Sequence, residues 1–221
     1  MSRFFAAATL AVLAFAAAAS AQDRETGPNP LAAGDADAGK AKSAPCAACH
    51  GADGNSTNPE WPKLAGQNPD YLVQQLKHFK SGERQNTVMS GMVANLSEQD
   101  MKDLAAFFSK QQRTPGVADE SLVDQGRQLY RGGDAETALP ACMACHGPTG
   151  SGIAAAGFPA IGGQHAQYVY TQLQAYASGQ RHSINGIMNS VAERMDDDQM
   201  KALSSYVEGL HLRKDAFAEK K

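Results

Sequence analysis

The sequence feature that most restricts the fold is the pattern Cys-x-x-Cys-His, which occurs twice. It spans residues 46–50 and returns at residues 142–146, 96 positions later. The residues that follow each occurrence also match, with an offset of 97: Tyr71, Leu76, Gly82 and Arg84 return as Tyr168, Leu173, Gly179 and Arg181. Self-similarity at a long period indicates a duplicated structural unit. The sequence therefore predicts two copies of one domain.

The periodicity within each copy is helical, and no segment has the alternation typical of a strand. Pro69 and Gly82 are typical punctuation for the two ends of one helix, and Ser97 with Asp100 resembles a capping box at the start of another. The predicted helices lie near 36–43, 68–82 and 97–108 and, in the second copy, near 120–130, 165–179 and 196–210. The fold class is therefore all-α, with a linker near 111–118 between the copies.

The first 21 residues have the pattern of a secretory signal peptide. Arg3 precedes an apolar run over 4–19, and residues 19–21 fit the small-x-small cleavage pattern. The run is short for a membrane span, and no later segment has the necessary length. We therefore expect an exported protein that is soluble outside the cytoplasm and whose mature chain begins near Gln22. The predicted boundaries are 22–112 for the N-terminal domain, 113–118 for the linker and 119–221 for the C-terminal domain.

Charge narrows the classes of partner. Without Arg3 the mature chain has 19 basic and 23 acidic residues, so its net charge is −4. No basic patch with interleaved aromatic residues is present, and nucleic acid is therefore not an expected partner. The modest acidic balance favours docking to a partner of complementary charge.

Cys-x-x-Cys-His is the attachment motif of c-type haem. Two thiols one helical turn apart can form thioethers with the two vinyl groups of one porphyrin, and the adjacent histidine then lies beneath the iron. The sequence thus predicts two covalent haem c groups, held by Cys46, Cys49 and His50 and by Cys142, Cys145 and His146. Thioredoxin-like chemistry would require a βαβ context. A four-cysteine zinc site would require the two copies to bring their cysteine pairs together.

The second axial ligand is expected later in each copy. Methionine suits an electron-transfer site because a His/Met pair raises the reduction potential of the iron. Met89 and Met188 coincide at an offset of 99 and lie in glycine-bearing segments, 87–91 and 185–190, which we predict to be loops. Because loops often carry functional residues, these two methionines are the predicted ligands.

Other residues compete for the same role. Met101 and Met200 also coincide, but they lie on the apolar stripe of a helix, where a methionine usually packs. Four further histidines have no counterpart in the other copy and are expected at the surface or at helix caps, although one of them could form a His/His site of lower potential. They are His78, His165, His182 and His211.

Pro62 and Pro159 occupy equivalent places between the histidine and the methionine of each copy. A metal-bound histidine usually donates its second ring N–H to a carbonyl or carboxylate oxygen. A proline carbonyl in this position would suit that bond. Prolines that only stiffen a turn remain the alternative.

Together these residues resemble the cytochrome c4 family. The resemblance rests on the two haem motifs and on the segments 61–67, 94–97, 157–159 and 162–168, and it covers about 34–211. It implies two tandem class I cytochrome c domains related by a pseudo-twofold, with haems close enough to exchange electrons. Family members are periplasmic, and they pass electrons from a cytochrome bc-type complex to a haem-copper terminal oxidase.

The resemblance also implies particular ligand sets. It carries over as His/Met ligation by His50 with Met89 and by His146 with Met188. It further implies that each of these histidines donates a hydrogen bond to a proline carbonyl, that of Pro62 in the first copy and that of Pro159 in the second.

The sequence favours an electron carrier over an enzyme. A dihaem peroxidase would need one iron with an open site, and two symmetric methionine-bearing copies do not indicate that asymmetry. Thiosulfate-oxidising dihaem enzymes commonly use a cysteine ligand, and all four cysteines of this chain lie in the two motifs. A subunit of a larger membrane complex, the remaining alternative, would normally retain a membrane helix.

Overall fold

The structure is a computed structural model that describes residues 34–211. The predicted signal peptide and the expected start of the mature chain lie outside the described residues. The described part of the chain is helical, and its only β-pairings are two isolated bridges, Asp134 with Leu139 and Ile153 with Phe158. None of the helices in this part combines the length and apolar character needed to cross a membrane.

Each copy contains five α-helices in the same order. The N-terminal copy (34–112) has α1 (Ala36–Lys42), α2 (Ala44–His50), α3 (Pro69–Ser81), α4 (Thr87–Val93) and α5 (Glu98–Ser109). The C-terminal copy (119–211) has α6 (Val123–Gly132), α7 (Met143–His146), α8 (Ala166–Ala177), α9 (Ile187–Ala192) and α10 (Asp197–Gly209). Short 3-10 helices cover Glu120–Leu122, Ala154–Ala156 and Ile184–Gly186. The predicted all-α class and the duplication are confirmed.

The helix ends follow the local sequence. Helix α3 starts at Pro69 and ends before Gly82, which has a φ of 83° that costs a glycine little. Ser97 and Asp100 form the predicted capping box of α5, in which each side chain bonds the backbone N–H of the other residue. Asp196 caps α10 in the same way.

The prediction of loops around Met89 and Met188 is wrong, because these residues lie in α4 and α9. In each case an upstream side chain satisfies the methionine N–H. The Asn86 side chain accepts from Met89 N at 2.9 Å, and Ser183 Oγ accepts from Met188 N at 2.8 Å. In α4 the satisfied first turn lets a short helix form although Gly91 is present, since one glycine costs only about 1 kcal/mol. Gly186 lies outside α9 as its N-cap.

The first and last helices of each copy cross in close contact at a glycine. Gly39 of α1 lies so near α5 that a Cβ added to it would be 2.0 Å from the carbonyl oxygen of Asp103. A Cβ added to Gly126 of α6 would be 2.3 Å from the carbonyl oxygen of Ala202 in α10. Asp103 and Ala202 are equivalent residues at the offset of 99. Both copies therefore use the same glycine-dependent crossing.

The hydrophobic core is divided between the copies. One cluster of buried residues lies in the N-terminal copy: Leu72, Leu104, Ala105, Phe107 and Phe108. The other lies in the C-terminal copy: Leu129, Tyr130, Leu139, Leu173, Ala192, Met195, Met200, Leu203 and Val207. Each copy thus buries its own apolar stripe.

Two glutamines join the copies through matching hydrogen bonds. Gln67 Nε2 donates to the carbonyl oxygen of Ala160 at 2.8 Å, and Ala160 N donates back to Gln67 Oε1 at 2.8 Å. Gln164 makes the same two bonds with the backbone of Lys63, at 2.9 and 2.8 Å. Since the offset of 97 relates Gln67 to Gln164 and Lys63 to Ala160, the contact is isologous, as a pseudo-twofold requires.

Two arginines make a second pair of equivalent hydrogen bonds between the copies. Arg84 Nη2 lies 2.9 Å from the Tyr168 hydroxyl, to which it donates. Arg181 Nη2 donates to the Tyr71 hydroxyl at 2.8 Å. Each of these guanidinium nitrogens also donates to a glutamine of the opposite copy at 2.9 Å. The copies are therefore joined by a polar interface with two equivalent halves.

The segment between the copies lacks regular structure but is tied to both of them. Arg113 Nε donates to the carbonyl oxygen of Ala65 at 2.8 Å, and its Nη1 donates to that of Gly162 at 3.1 Å. Thr114 N donates to Asn55 Oδ1 at 2.9 Å. Burial lowers the pKa of Arg113 to about 10. The segment is therefore part of the interface.

An ion pair between α1 and α5 provides a test of acid stability. Lys42 Nζ lies 2.8 Å from Oδ2 of the buried Asp103, and this bond holds the pKa of that carboxyl below its usual value. Because the folded-state pKa is depressed, the stabilisation is present above about pH 4 and is lost as the pH falls through the folded-state value. We expect Lys42→Met to lower the free energy of unfolding at pH 7 and to flatten its decline below about pH 4, as measured by urea unfolding at several pH values.

Lys110→Met serves as the control, because Lys110 is exposed and its loss changes the net charge equally. We expect this variant to retain the acid dependence of the parent. An equally steep acid decline in the Lys42→Met protein would contradict the role of the pair.

Candidate haem-binding sites

The two motif histidines are buried and have the same hydrogen-bond partner. His50 ends α2, and its Nδ1 lies 2.8 Å from the carbonyl oxygen of Pro62. His146 ends α7, and its Nδ1 lies 2.9 Å from that of Pro159. Because a carbonyl oxygen can only accept, Nδ1 is the protonated nitrogen in both rings. The lone pair is therefore on Nε2, which forms no hydrogen bond with any residue in the range 34–211.

Burial controls the charge of both rings. It lowers the pKa of His50 and of His146, and the bond to the proline carbonyl opposes this effect only in part. Both imidazoles are therefore neutral at pH 7. A neutral imidazole with a free Nε2 is the form that binds a metal.

The four motif cysteines are free thiols, each of them partly buried. Burial raises the pKa of Cys46, and it raises that of Cys142 to about 11. Protonated thiols in apolar surroundings are poor ligands for zinc. In addition, no group of three or more His, Cys, Asp or Glu within the described ranges could hold a metal ion.

Neither predicted methionine ligand is fully buried. Met89 and Met188 are partly buried near the starts of α4 and α9, and Met188 packs against the C-terminal core cluster. Met101 and Met200 are buried, as expected for packing residues. The exposed side chains of Val88 and Ile187 directly precede the two predicted ligands at equivalent positions.

His165 occupies the residue before α8, which is one of the expected cap positions, and it is buried. Its Nε2 lies 2.9 Å from the Ser56 carbonyl oxygen in the other copy, and its Nδ1 lies 3.5 Å from Glu208 Oε1. Both ring nitrogens therefore face protein groups. His78 Nε2 lies 3.4 Å from Glu83 Oε2.

The remaining two histidines, His182 and His211, are exposed. Within the described residues, only the two motif histidines combine burial with an uncommitted ring nitrogen.

Sequence reasoning missed the residues that support these sites. Tyr130 is fully buried in α6, and its hydroxyl donates to the carbonyl oxygen of Gly147 at 2.6 Å, next to His146. Gln67 and Gln164 bond the residues that follow the two prolines. The recurrence of the two glutamines at an offset of 97 was the only signal of their importance in the sequence.

The donor set of each copy suits haem c. Two unpaired thiols one turn apart can form thioethers with one porphyrin, and Nε2 of the adjacent imidazole is free for the iron. Partly buried apolar residues pack against the core of each copy, among them Leu64 and Val73 in one copy and Ile161 and Val169 in the other. The chemistry and its duplication therefore fit two haem groups.

Comparison with known proteins also indicates one haem c site in each copy. The sequence profile of the cytochrome c family matches residues 36–112 and 123–211, once in each copy. Cytochrome c4 of Pseudomonas aeruginosa is 50% identical over 182 residues, which are 81% of this chain and 90% of that one. A protein of Thiomonas intermedia, named a thiosulfate dehydrogenase electron acceptor, is 37% identical over 213 residues, which are 94% of this chain and 90% of that one.

A solved structure is also similar. The crystal structure of reduced recombinant cytochrome c4 from Pseudomonas stutzeri has a TM-score of 0.79 and 46% identity, and the match covers 81% of this chain and all of that one. The two copies are thus tandem class I cytochrome c domains, and the two motifs are sites of covalent haem c. The chain belongs to the cytochrome c4 family of dihaem electron-transfer proteins, which exchange electrons with redox partners.

Proposed function

We propose that this protein is a periplasmic electron shuttle with one His/Met-ligated haem in each copy. The proposed axial ligands are His50 with Met89 and His146 with Met188. The observation that supports this most strongly is the pair of equivalent buried imidazoles, each with Nδ1 on a proline carbonyl and Nε2 uncommitted. The bound haem iron supplies the one-electron redox change.

The protein residues have separate tasks in this scheme. The cysteines fix the porphyrin covalently, so the cofactor does not dissociate during repeated redox cycles. The Pro62 and Pro159 carbonyls hold the ring orientation and the tautomer of the histidines and raise the basicity of Nε2. The axial methionine and the surrounding apolar side chains raise the reduction potential.

We propose that electrons pass from a cytochrome bc-type complex to a haem-copper terminal oxidase. The similarity to cytochrome c4 supports this route. The similarity to a named thiosulfate dehydrogenase electron acceptor supports a second possible donor, namely such a dehydrogenase. In both routes the chain is a carrier rather than an enzyme, because all four cysteines serve haem attachment and none is free to act as the cysteine ligand of a thiosulfate enzyme.

The signal-peptide pattern supports the periplasmic location and at most loose membrane association. We propose that the two domains span 22–112 and 119–221 and that 113–118 is the linker between them. The family matches, 36–112 and 123–211, lie within them.

The ligand assignment is tested by replacing each methionine. Oxidised His/Met-ligated haem has a weak long-wavelength absorption band that arises from the sulfur–iron bond. Since one haem of two loses this bond in each variant, we expect Met89→Ala and Met188→Ala each to reduce the band by about half. The measurement is an absorption spectrum of the oxidised holoprotein.

Met92→Ala is a suitable control, because Met92 is exposed and lies in the same helix as Met89. Its spectrum should equal that of the parent. A parent protein without the band, or with a high-spin spectrum that responds to cyanide, would contradict the proposal and favour an enzyme.

A further inference from the structure

The two interface glutamines also bond the peptide groups that accept hydrogen bonds from the motif histidines. Gln164 Oε1 accepts a hydrogen bond from Lys63 N, and Lys63 is the residue immediately after Pro62. The Pro62 carbonyl and the Lys63 N–H belong to one planar peptide group. That group therefore accepts from His50 Nδ1 on one side and donates to a side chain of the other copy on the opposite side.

The second copy has the same arrangement in reverse. The Pro159 carbonyl accepts from His146 Nδ1, and the N–H of the same peptide group, on Ala160, donates to Gln67 Oε1 at 2.8 Å. Each motif histidine is therefore connected by one peptide group to a glutamine of the opposite copy.

We propose that Gln164 tunes the reduction potential of the haem in the N-terminal copy and that Gln67 tunes that of the haem in the C-terminal copy. Both glutamines are positioning residues that act through the peptide group and the histidine. This inference rests on the proposed function, in which His50 and His146 are axial ligands.

The physical basis is cooperative polarisation. A peptide group whose N–H donates a hydrogen bond has a more negative carbonyl oxygen, and consecutive hydrogen bonds strengthen one another. The proline carbonyl then accepts more strongly from Nδ1–H, which makes Nε2 a better electron donor. A more basic ligand stabilises the oxidised iron. The intact series of hydrogen bonds therefore lowers the reduction potential of the haem.

Burial makes this effect significant. Gln67, Gln164 and the two residues that they bond are nearly inaccessible to solvent, each with at most 7% exposure. In such surroundings a hydrogen bond is electrostatically stronger than in water. Water is also poorly placed to replace a lost glutamine.

The expected pattern of potentials crosses the interface. Gln164→Leu removes the acceptor from Lys63 N and should raise the potential of the N-terminal haem only. Gln67→Leu should raise the potential of the C-terminal haem only. We expect a change of about two- to fourfold in the oxidised-to-reduced ratio at a fixed potential, on the scale in which tenfold is 59 mV for one electron.

Gln172→Leu separates this mechanism from a loosened interface. Gln172 Oε1 accepts from Arg84 of the other copy at 2.9 Å and from Arg181 at 2.7 Å, but it does not contact a proline peptide. The control therefore loses two side-chain hydrogen bonds, one across the interface and one within its own copy, and both potentials should remain at their parent values.

The experiment is a spectroelectrochemical titration of the full holoprotein, with the haems distinguished by the NMR signals of their axial methionines. The spectra of Met89→Ala and Met188→Ala assign these signals. The inference is overturned if neither glutamine variant changes a potential, if each changes the haem of its own copy, or if Gln172→Leu produces the same shifts. A parent protein without two low-spin methionine-ligated haems would instead overturn the proposed function.

Discussion

Replacement of Gly126 by alanine is expected to lower the free energy of unfolding by about 3 kcal/mol. The added Cβ would be 2.3 Å from the carbonyl oxygen of Ala202 and 2.5 Å from Cβ of Tyr206, so α6 and α10 would have to move apart. Because a backbone oxygen cannot rotate away as a flexible side chain can, the cost is paid in packing along the whole crossing. Urea unfolding of the holoprotein measures this effect.

The same helix offers a matched control. Nothing lies within 4 Å of a Cβ built on Gly132 at the end of α6, so Gly132→Ala should leave stability within about 1 kcal/mol of the parent. Gly39→Ala should destabilise the N-terminal copy as Gly126→Ala does the C-terminal copy. Equal stabilities for Gly126→Ala and Gly132→Ala would show that the helices do not cross at this glycine.

Arg181→Ala is expected to cost about 3 kcal/mol of stability, because hydrogen bonds to a charged group contribute about 1.5 to 3 kcal/mol each and their partners would be left unsatisfied. Arg181 is 5% exposed. Its guanidinium donates to the Tyr71 hydroxyl and to Gln75 of the N-terminal copy and to Gln172 of its own copy. The guanidinium also lies 4.6 Å from the ring centre of Tyr176.

The position of this residue predicts a second effect. Since two of its partners belong to the N-terminal copy, its loss should uncouple the copies and split one unfolding transition into two. Arg127→Ala is the control, because the Arg127–Asp124 pair is exposed and such pairs contribute at most about 1 kcal/mol. A single transition with parent stability in Arg181→Ala would refute the importance of this cluster for coupling.

The duplication, the haem motifs and three of the five α-helices in each copy could be predicted because each leaves a local signal. Pro69 and Gly82 mark the ends of α3, and Ser97 with Asp100 marks the start of α5, since these residues act on the backbone within one turn. The short helices at Met89 and Met188 escaped prediction. Their first turns depend on Asn86 and Ser183, side chains whose bonds to the backbone outweigh the glycine signal.

The polar interface between the copies could not be predicted from neighbouring residues in the sequence, for a different reason. Gln67 and Gln164 are ordinary polar residues by sequence, and nothing nearby distinguishes a buried glutamine from an exposed one. His165, at the cap of α8, is buried between Ser56 and Glu208, and its sequence neighbours do not indicate these partners. These environments exist only because residues about a hundred positions apart are brought together.

The sequence by itself determined that this protein has two similar helical copies, each with one Cys-x-x-Cys-His site. Repeats, helix caps and attachment motifs can be recognised because they consist of residues that lie close together in the sequence. Only the tertiary structure decided which nitrogen of His50 and His146 is free, since that depends on the carbonyls of Pro62 and Pro159. It also decided that each of these proline peptide groups bonds a glutamine of the opposite copy. The physical reason is that hydrogen bonds between distant segments depend on position in space, which the packing of the two copies sets.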